Sequence, residues 1–466
     1  MMDPATLIHH FLEKSAARYP EKPALIQEGR RTSYRELNTL ADRFAGCLRE
    51  HGLGPGARVV LLLENSLEYA ASYYGLLKIG AVAVPCSPDL KSDQIRQLLG
   101  RVEPKAVVAS AQVEKILQGI DLGSFNVEVL ILKKARASWS SRFFRILSWE
   151  ESVSGAGSGG GLRVEPADLS TILFTSGSAG KPKGVMLSHE NIVANTLAIC
   201  RYLEIGAADI QMVVLPFFYV MGLSLLNTHV AAGGTLVLNN KFAFPAAVLR
   251  EMMAEQVTGF AGVPSTYAYL LNRSPLPKMA GQLTSLRYCT QAGGHLPREL
   301  KERLRQALPG HIKIFIMYGA TEASARLAYL SPERYGDKMD SVGRAIPGVQ
   351  LRVVAPGGEE VPRGMVGELV ATGPNIMQGY WKDPEGTRQV LKGRAYRTGD
   401  LAYMDAEGFI FIVGRKDHQI KIGGHRLNPQ EIEDVLYDSG FLAETVVLGV
   451  DDKLWGEKMA ALIVAK

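Results

Sequence analysis

Residues 169–189 read LSTILFTSGSAGKPKGVMLSH, and the fold turns on what this stretch serves. Thr171 to Phe174 is β-branched and aromatic, the composition of a strand, and it empties into Thr175-Ser176-Gly177-Ser178-Ala179-Gly180-Lys181-Pro182-Lys183-Gly184. That decapeptide holds three glycines that let the backbone approach a ligand closely, three hydroxyl side chains, two lysines and no acid. Donors and positive charge in a single turn suit a polyphosphate. The common nucleotide-loop motif is not met, because only two residues separate Gly177 from Gly180 and Pro182 follows Lys181; the dinucleotide fingerprint fails as well. Taken alone, a Gly/Ser/Lys stretch is more often an ordinary surface loop.

The rest of the chain narrows the choice. At 466 residues it is too long for one ordinary domain, so two or more domains and a large core are expected. Lys plus Arg number 52 against 47 acids, a net charge of +5, which is a mild basic balance and does not indicate nucleic acid. Cys47, Cys86, Cys200 and Cys289 lie far apart with no metal or redox spacing and read as reduced, mostly buried thiols of a cytoplasmic protein. Met1–Ala5 lacks a basic region followed by an apolar run, so no secretory signal is expected. Residues 210–240 carry no Asp, Glu, Lys or Arg and reach the length of a membrane span. Pro216, Gly222, Asn227, His229, Gly233 and Gly234 interrupt them, so two buried strands around a helix are predicted and no integral membrane segment.

In the first 150 residues helical and strand signals alternate, the pattern of a parallel sheet with helices on its faces. Ser33-Tyr34-Arg35-Glu36 reads as a capping box opening a helix with Leu37, Leu40, Ala41, Phe44 and Leu48 on one face, stopped by Gly52. Between Lys133 and Arg145 five basic residues surround Trp139, Phe143 and Phe144, best read as a solvated connection.

Thr175–Gly184 closely resembles the phosphate loop of the adenylate-forming superfamily, which includes acyl-CoA synthetases, peptide synthetase adenylation domains and beetle luciferases. Further stretches match family motifs in the same order. They are Gln291-Ala292-Gly293-Gly294-His295-Leu296-Pro297, Tyr318-Gly319-Ala320-Thr321-Glu322, Gly367-Glu368-Leu369, Gly379-Tyr380-Trp381, Tyr396-Arg397-Thr398-Gly399-Asp400-Leu401 and Gly414-Arg415-Lys416-Asp417 running on to Arg426. The likeness is strongest to acyl-CoA ligases. It implies an α/β fold: a large N-terminal domain over 1–415, built of two α/β subdomains plus a β-barrel-like subdomain, and a small, apparently truncated α+β C-terminal domain over 416–466 that swings on Asp417.

The chemistry the resemblance implies is ATP-dependent activation of a carboxylic acid to an acyl-adenylate with release of pyrophosphate, then thioester formation with CoA. Ser176, Gly177, Ser178, Ala179, Gly180 and Lys181, with Thr175, would hold the phosphates. Gly293, Gly294, Tyr318, Gly319 and Thr321 would hold the adenine side, and Asp400 and Arg415 the ribose. Thr175, Lys183, Glu322 and Lys421 would be catalytic, Lys421 in the second half-reaction. A carboxylate beside phosphates is unfavourable unless a cation lies between them, so Glu322, with Thr175, implies Mg2+. Asp400 is expected in a turn where only Arg397 can neutralise it, leaving it free for the ribose diol.

Residues 216–222 lack the Asp with which amino-acid-activating members hold the ammonium group, so a fatty or aryl acid is expected. Tyr219, Met221, Gly222, Gly262 and Ala292 would line its pocket, the small residues leaving it deep. In the family a lysine in a Pro-x-Thr-x-x-Gly-Lys stretch bridges carboxylate and phosphate. No Gly-Lys follows Gly180-Lys181, and Lys453, Lys458 and Lys466 do not match, so that role falls on no residue. Two alternatives therefore stand beside the CoA ligase: acyl loading onto the pantetheine of a carrier protein, and a non-catalytic nucleotide-binding form.

Overall fold

The computed structural model describes residues 6–134, 139–157, 162–175, 182–416, 420–422, 425–452 and 456–465. They form two compact units. The first comprises Met1–Asn240, Thr321–Ala325 and Met377–Thr387, the second Lys241–Ala320, Arg326–Ile376 and Arg388–Lys466.

In the first unit the alternating pattern becomes a mixed sheet. Arg58–Leu62 pairs in parallel with Val82–Pro85 on one side and Ala106–Ser110 on the other, and Val129–Lys133 and Arg145–Ser148 extend the parallel run. Val82–Pro85 is followed by Leu169–Thr175 in parallel, then by Lys183–Ser188 and Gly379–Tyr380, both antiparallel. Strands such as Val59–Leu62 are wholly buried because helices cover both faces of a parallel sheet.

Tyr34–Glu50 is one of the covering helices. The Ser33 hydroxyl caps it by accepting the Glu36 N–H at 3.1 Å, and Leu37, Ala41, Phe44 and Leu48 are fully buried. The predicted box is half made, since the Glu36 carboxylate pairs with Arg30 at 2.9 Å instead. The charge-free stretch resolves as predicted into strand Ile210–Val213, helix Val220–Ala232 and strand Thr235–Leu238, both strands lying parallel. No helix among the described residues is long and apolar enough to cross a membrane. Within the basic stretch, Lys133 pairs with Glu68 at 2.9 Å, and Trp139 packs edge-on against Phe144.

Among the described residues, the second unit holds strands of three sheets. Gly259–Gly262, Tyr288–Gln291 and Lys313–Tyr318 run parallel, and Ala328–Leu330 and Arg344–Ala345 follow antiparallel. An antiparallel five-stranded sheet of Gln350–Val354, Gly367–Thr372, Ala395–Met404, Leu391–Lys392 and Ile410–Arg415 is the part expected to be barrel-like. Ile420–Ile422, His425–Leu427, Leu442–Asp452 and Gly456–Ala465 form the last sheet, beside helix Pro429–Asp438. Val446, Leu448, Leu462 and Val464 on that sheet are exposed.

Candidate active site

The candidate residues fall into two groups, one in each unit. In the first, Thr175 and Lys183 are direct cross-strand partners at the open end of the hairpin made by Leu169–Thr175 and Lys183–Ser188. Residues 176–181 between them lie outside the described residues, so Ser176, Gly177, Ser178, Ala179, Gly180 and Lys181 can be placed only as the segment this pair closes.

The outer edge of that hairpin is held by Gly379–Tyr380, with Gly379 opposite Met186 and Tyr380 opposite Val185. Tyr380 is what joins the other candidates. Its ring lies under the Lys183 ammonium, 4.7 Å from the centroid, and its hydroxyl donates to the Glu322 carboxylate at 2.7 Å. Glu322 itself sits in a single 3-10 turn, Thr321–Ala323, whose carbonyl at Glu322 accepts the Met377 N–H at 2.8 Å. A cation and an anion are thus oriented by one aromatic ring, the face attracting the ammonium and the hydroxyl serving the carboxylate. The sequence signalled Tyr380 only as part of a motif. Neither its ring contact nor its hydroxyl bond shows in the local pattern, since Glu322 is remote along the chain.

In the second unit the Tyr318 hydroxyl donates to Asp400, and Arg415 stands 3.6 Å from the same carboxylate. Asp400 and Arg415 are register partners on Ala395–Met404 and Ile410–Arg415. This corrects the expectation for Asp400. It lies in a strand rather than a turn, and Arg397 is engaged elsewhere, its Nε donating to Glu368 at 3.0 Å. The cross-strand partner, Arg415, reaches Asp400 instead. Thr398 sets the local backbone, accepting the Asp400 N–H at 3.0 Å and donating to the Leu369 carbonyl at 2.9 Å. Burial first, and then the Asp400 charge, push the Tyr318 phenol well above its usual range, so it remains a donor.

The turn after Tyr288–Gln291 is built as the glycines suggested. Gly293 has φ +83°, a conformation that residues with a side chain rarely adopt, and the Gln291 amide closes the turn on the Gly294 carbonyl at 2.9 Å. Gly293, Gly294, Tyr318, Gly319, Asp400 and Arg415 all line one cavity of about 810 Å3. Its other walls include Lys301, Asp340, Asn428 and Val447. Lys301 was not foreseen. It is buried, donates to the Met339 carbonyl at 2.8 Å, and burial lowers its ammonium to about 8, with Asp340 and Asp434 opposing that shift. The His295 ring meets Asp434 of helix Pro429–Asp438 at 2.8 Å.

The acyl-pocket candidates need a correction of reason. A Cβ on Gly222 would lie 2.0 Å from the Pro216 carbonyl oxygen, and one on Gly262 would lie 2.9 Å from both Thr266 and Tyr267. Both glycines are required by close packing within their own units, not by a void beside them. Met221 and Ala292 are buried, whereas Tyr219, which precedes helix Val220–Ala232, is 58% exposed. Asp417 lies outside the described residues, and Lys421 is placed only by its backbone, opposite Arg426 in the Ile420–Ile422 and His425–Leu427 pair.

Residues 12–381 match the family model described as AMP-binding enzyme, well over half of the chain. The chain belongs to the AMP-binding enzyme family. Among the relatives of this AMP-binding enzyme are the indoleacetate–CoA ligase of Aromatoleum aromaticum, 30% identical over 462 residues, covering 98% of this chain and 88% of the relative. The long-chain-fatty-acid–CoA ligase of Bacillus subtilis is 30% identical over 490 residues, covering 99% and 86%. Of solved structures, ATP-bound MatB from Rhodopseudomonas palustris superposes with a TM-score of 0.87 at 28% identity over 99% of this chain and 89% of that one. The Bacillus subtilis o-succinylbenzoate CoA synthetase bound to its acyl-adenylate intermediate does so with a TM-score of 0.80 at 27% identity over 98% and 88%.

Proposed function

We propose that this AMP-binding enzyme is an AMP-forming acid–CoA ligase acting on a fatty or aryl acid. The family match and the CoA-ligase relatives carry the reaction class; the pairing of Lys183 and Glu322 through Tyr380 is the observation that supports where it happens. A carboxylate oxygen of the acid attacks the α-phosphorus of ATP, the bond to the β-phosphate oxygen breaks, and pyrophosphate leaves. The CoA thiolate then attacks the acyl carbonyl and AMP departs. Attack of one anion on another needs offsetting charge held in place beforehand, a role assigned here to Lys183, Thr175 and the loop 176–181.

Asp400 and Arg415 are assigned to the ribose, and Tyr318, Gly319, Thr321, Gly293 and Gly294 to the adenine side. A carboxylate already accepting from Tyr318 keeps lone pairs for a diol. Mg2+ demands few protein ligands and usually arrives with the nucleotide phosphates, so one carboxylate, Glu322, with the Thr175 hydroxyl fits it. When bound, it would neutralise phosphate charge. Tyr219, Met221 and Ala292 are assigned to the acyl side and Lys421 to thioester formation. The segment from 416 onward is assigned to a separately moving C-terminal domain. The free thiols of Cys86, Cys200 and Cys289, pushed up to about 12 by burial, suit a reducing compartment such as the cytoplasm.

Incubation with ATP, Mg2+, CoA and a panel of fatty and aryl acids, read by mass spectrometry, tests this reading: acyl-CoA and AMP in equal amounts are expected. Acyl transfer to a carrier protein and not to CoA would overturn the choice of acceptor.

A further inference from the structure

The helix His9–Arg18 in the first unit begins with a group of donors that the acid–CoA ligase reading leaves unused. His9 and His10 precede Glu13 by four and three residues, spacings that put them on neighbouring positions of one helical surface. One ligand atom from each of His9, His10 and Glu13 lies within 4.8 Å of the others.

The hydrogen bonds around them are arranged as a metal would need. His9 is only 8% exposed; its ring bonds to the Leu77 carbonyl, yet its Nδ1 has no partner. A ring that donates through one nitrogen to a backbone carbonyl presents the other as a fixed lone pair, the usual arrangement of a ligating histidine. His10 uses Nδ1 toward the Thr6 hydroxyl at 3.3 Å, which leaves Nε2. Glu13 gives Oε1 to Lys78 at 3.0 Å, and Lys78 also meets Asp42 at 2.8 Å.

A fourth residue supplies the independent sign. His189 is fully buried, and its Nδ1 accepts the Ile8 N–H at 3.3 Å, so the proton sits on Nε2, which has no partner. Its ring is 6.0 Å from that of His9, edge to face. A buried lone pair and a buried N–H, both unpaired in neighbouring rings, cost stability unless a water or an ion meets them.

We propose that His9, His10 and Glu13 form a site for a divalent transition-metal ion of the zinc class, completed by a water that accepts the His189 Nε2–H. Zinc–nitrogen bonds are about 2.0–2.1 Å, so the donors must draw together by roughly 1 Å, which the partly exposed His10 and Glu13 side chains permit. The ion ties the N-terminal helix to His189, the residue directly after strand Lys183–Ser188.

The full chain, stripped with a chelator, is titrated with Co2+ and then Zn2+. One Co2+ per chain with visible ligand-field absorption, displaced by Zn2+, is expected, together with a higher melting temperature in Zn2+. His10→Ala and Glu13→Gln, both outside the residues assigned to ATP, acid or CoA, are expected to weaken Co2+ binding by at least about tenfold. Their metal-free melting reports separately on folding. Absence of stoichiometric Co2+ binding, or binding that neither variant weakens, overturns the site and leaves a buried water as the occupant.

Discussion

Tyr380 is the residue on which the catalytic reading is most exposed to test. Tyr380→Phe keeps the ring beneath Lys183 but removes the donor to Glu322. A hydrogen bond to a charged group is worth about 1.5–3 kcal/mol, so kcat should fall about tenfold or more in stopped-flow measurement of pyrophosphate release. At the other group, Tyr318→Phe deprives Asp400 of its donor and is expected to raise KM for ATP several-fold more than it lowers kcat. Three histidines give a pH prediction. His9 and His189 are lowered to about 3 and His229 to about 4, chiefly by burial, against an ordinary value of 6.5. Between those values the unfolded chain binds more protons than the folded one. Stability is therefore full above pH 6.5 and falls on acidification, by up to about 1.4 kcal/mol per pH unit for each histidine. Chelator-treated protein should show it as a falling urea midpoint from pH 7 to 5; a flat profile would contradict it.

Among the elements, Ile210–Val213, Val220–Ala232 and Thr235–Leu238 show what local pattern can and cannot tell. Charge-free residues broken by Pro216, Gly222 and Gly233 announce strand, helix and strand, and the structure agrees. Gly222 misled as to purpose, because the Pro216 carbonyl that fills the space beside it cannot be seen in a list of small residues. Gly222→Ala should cost about 1–3 kcal/mol by overpacking, measured by urea denaturation, and should gain nothing in acyl-chain length. Asp400 teaches the same lesson. Its motif was legible, but its partners Tyr318 and Arg415 come from other strands, and register is a property of the sheet. Of the hairpin made by Leu169–Thr175 and Lys183–Ser188, the first strand was legible; the strand on its outer edge, Gly379–Tyr380, was not, being too short and remote for any local signal.

For the whole molecule, motif order carried most of the reading, because seven short matches in sequence constrain a fold far more than any one of them. Family membership agrees with it over residues 12–381. The central claim is that this chain joins a hydrophobic carboxylate to AMP, with Lys183 and Glu322 on either side of Tyr380 at the reacting phosphates. Acid-dependent exchange of labelled pyrophosphate into ATP, with CoA omitted, tests it most directly. The account predicts exchange with fatty or aryl acids and Mg2+, lost by about a hundredfold or more in Lys183→Ala. ATP binding without exchange for any acid, or exchange that Lys183→Ala leaves intact, would contradict it.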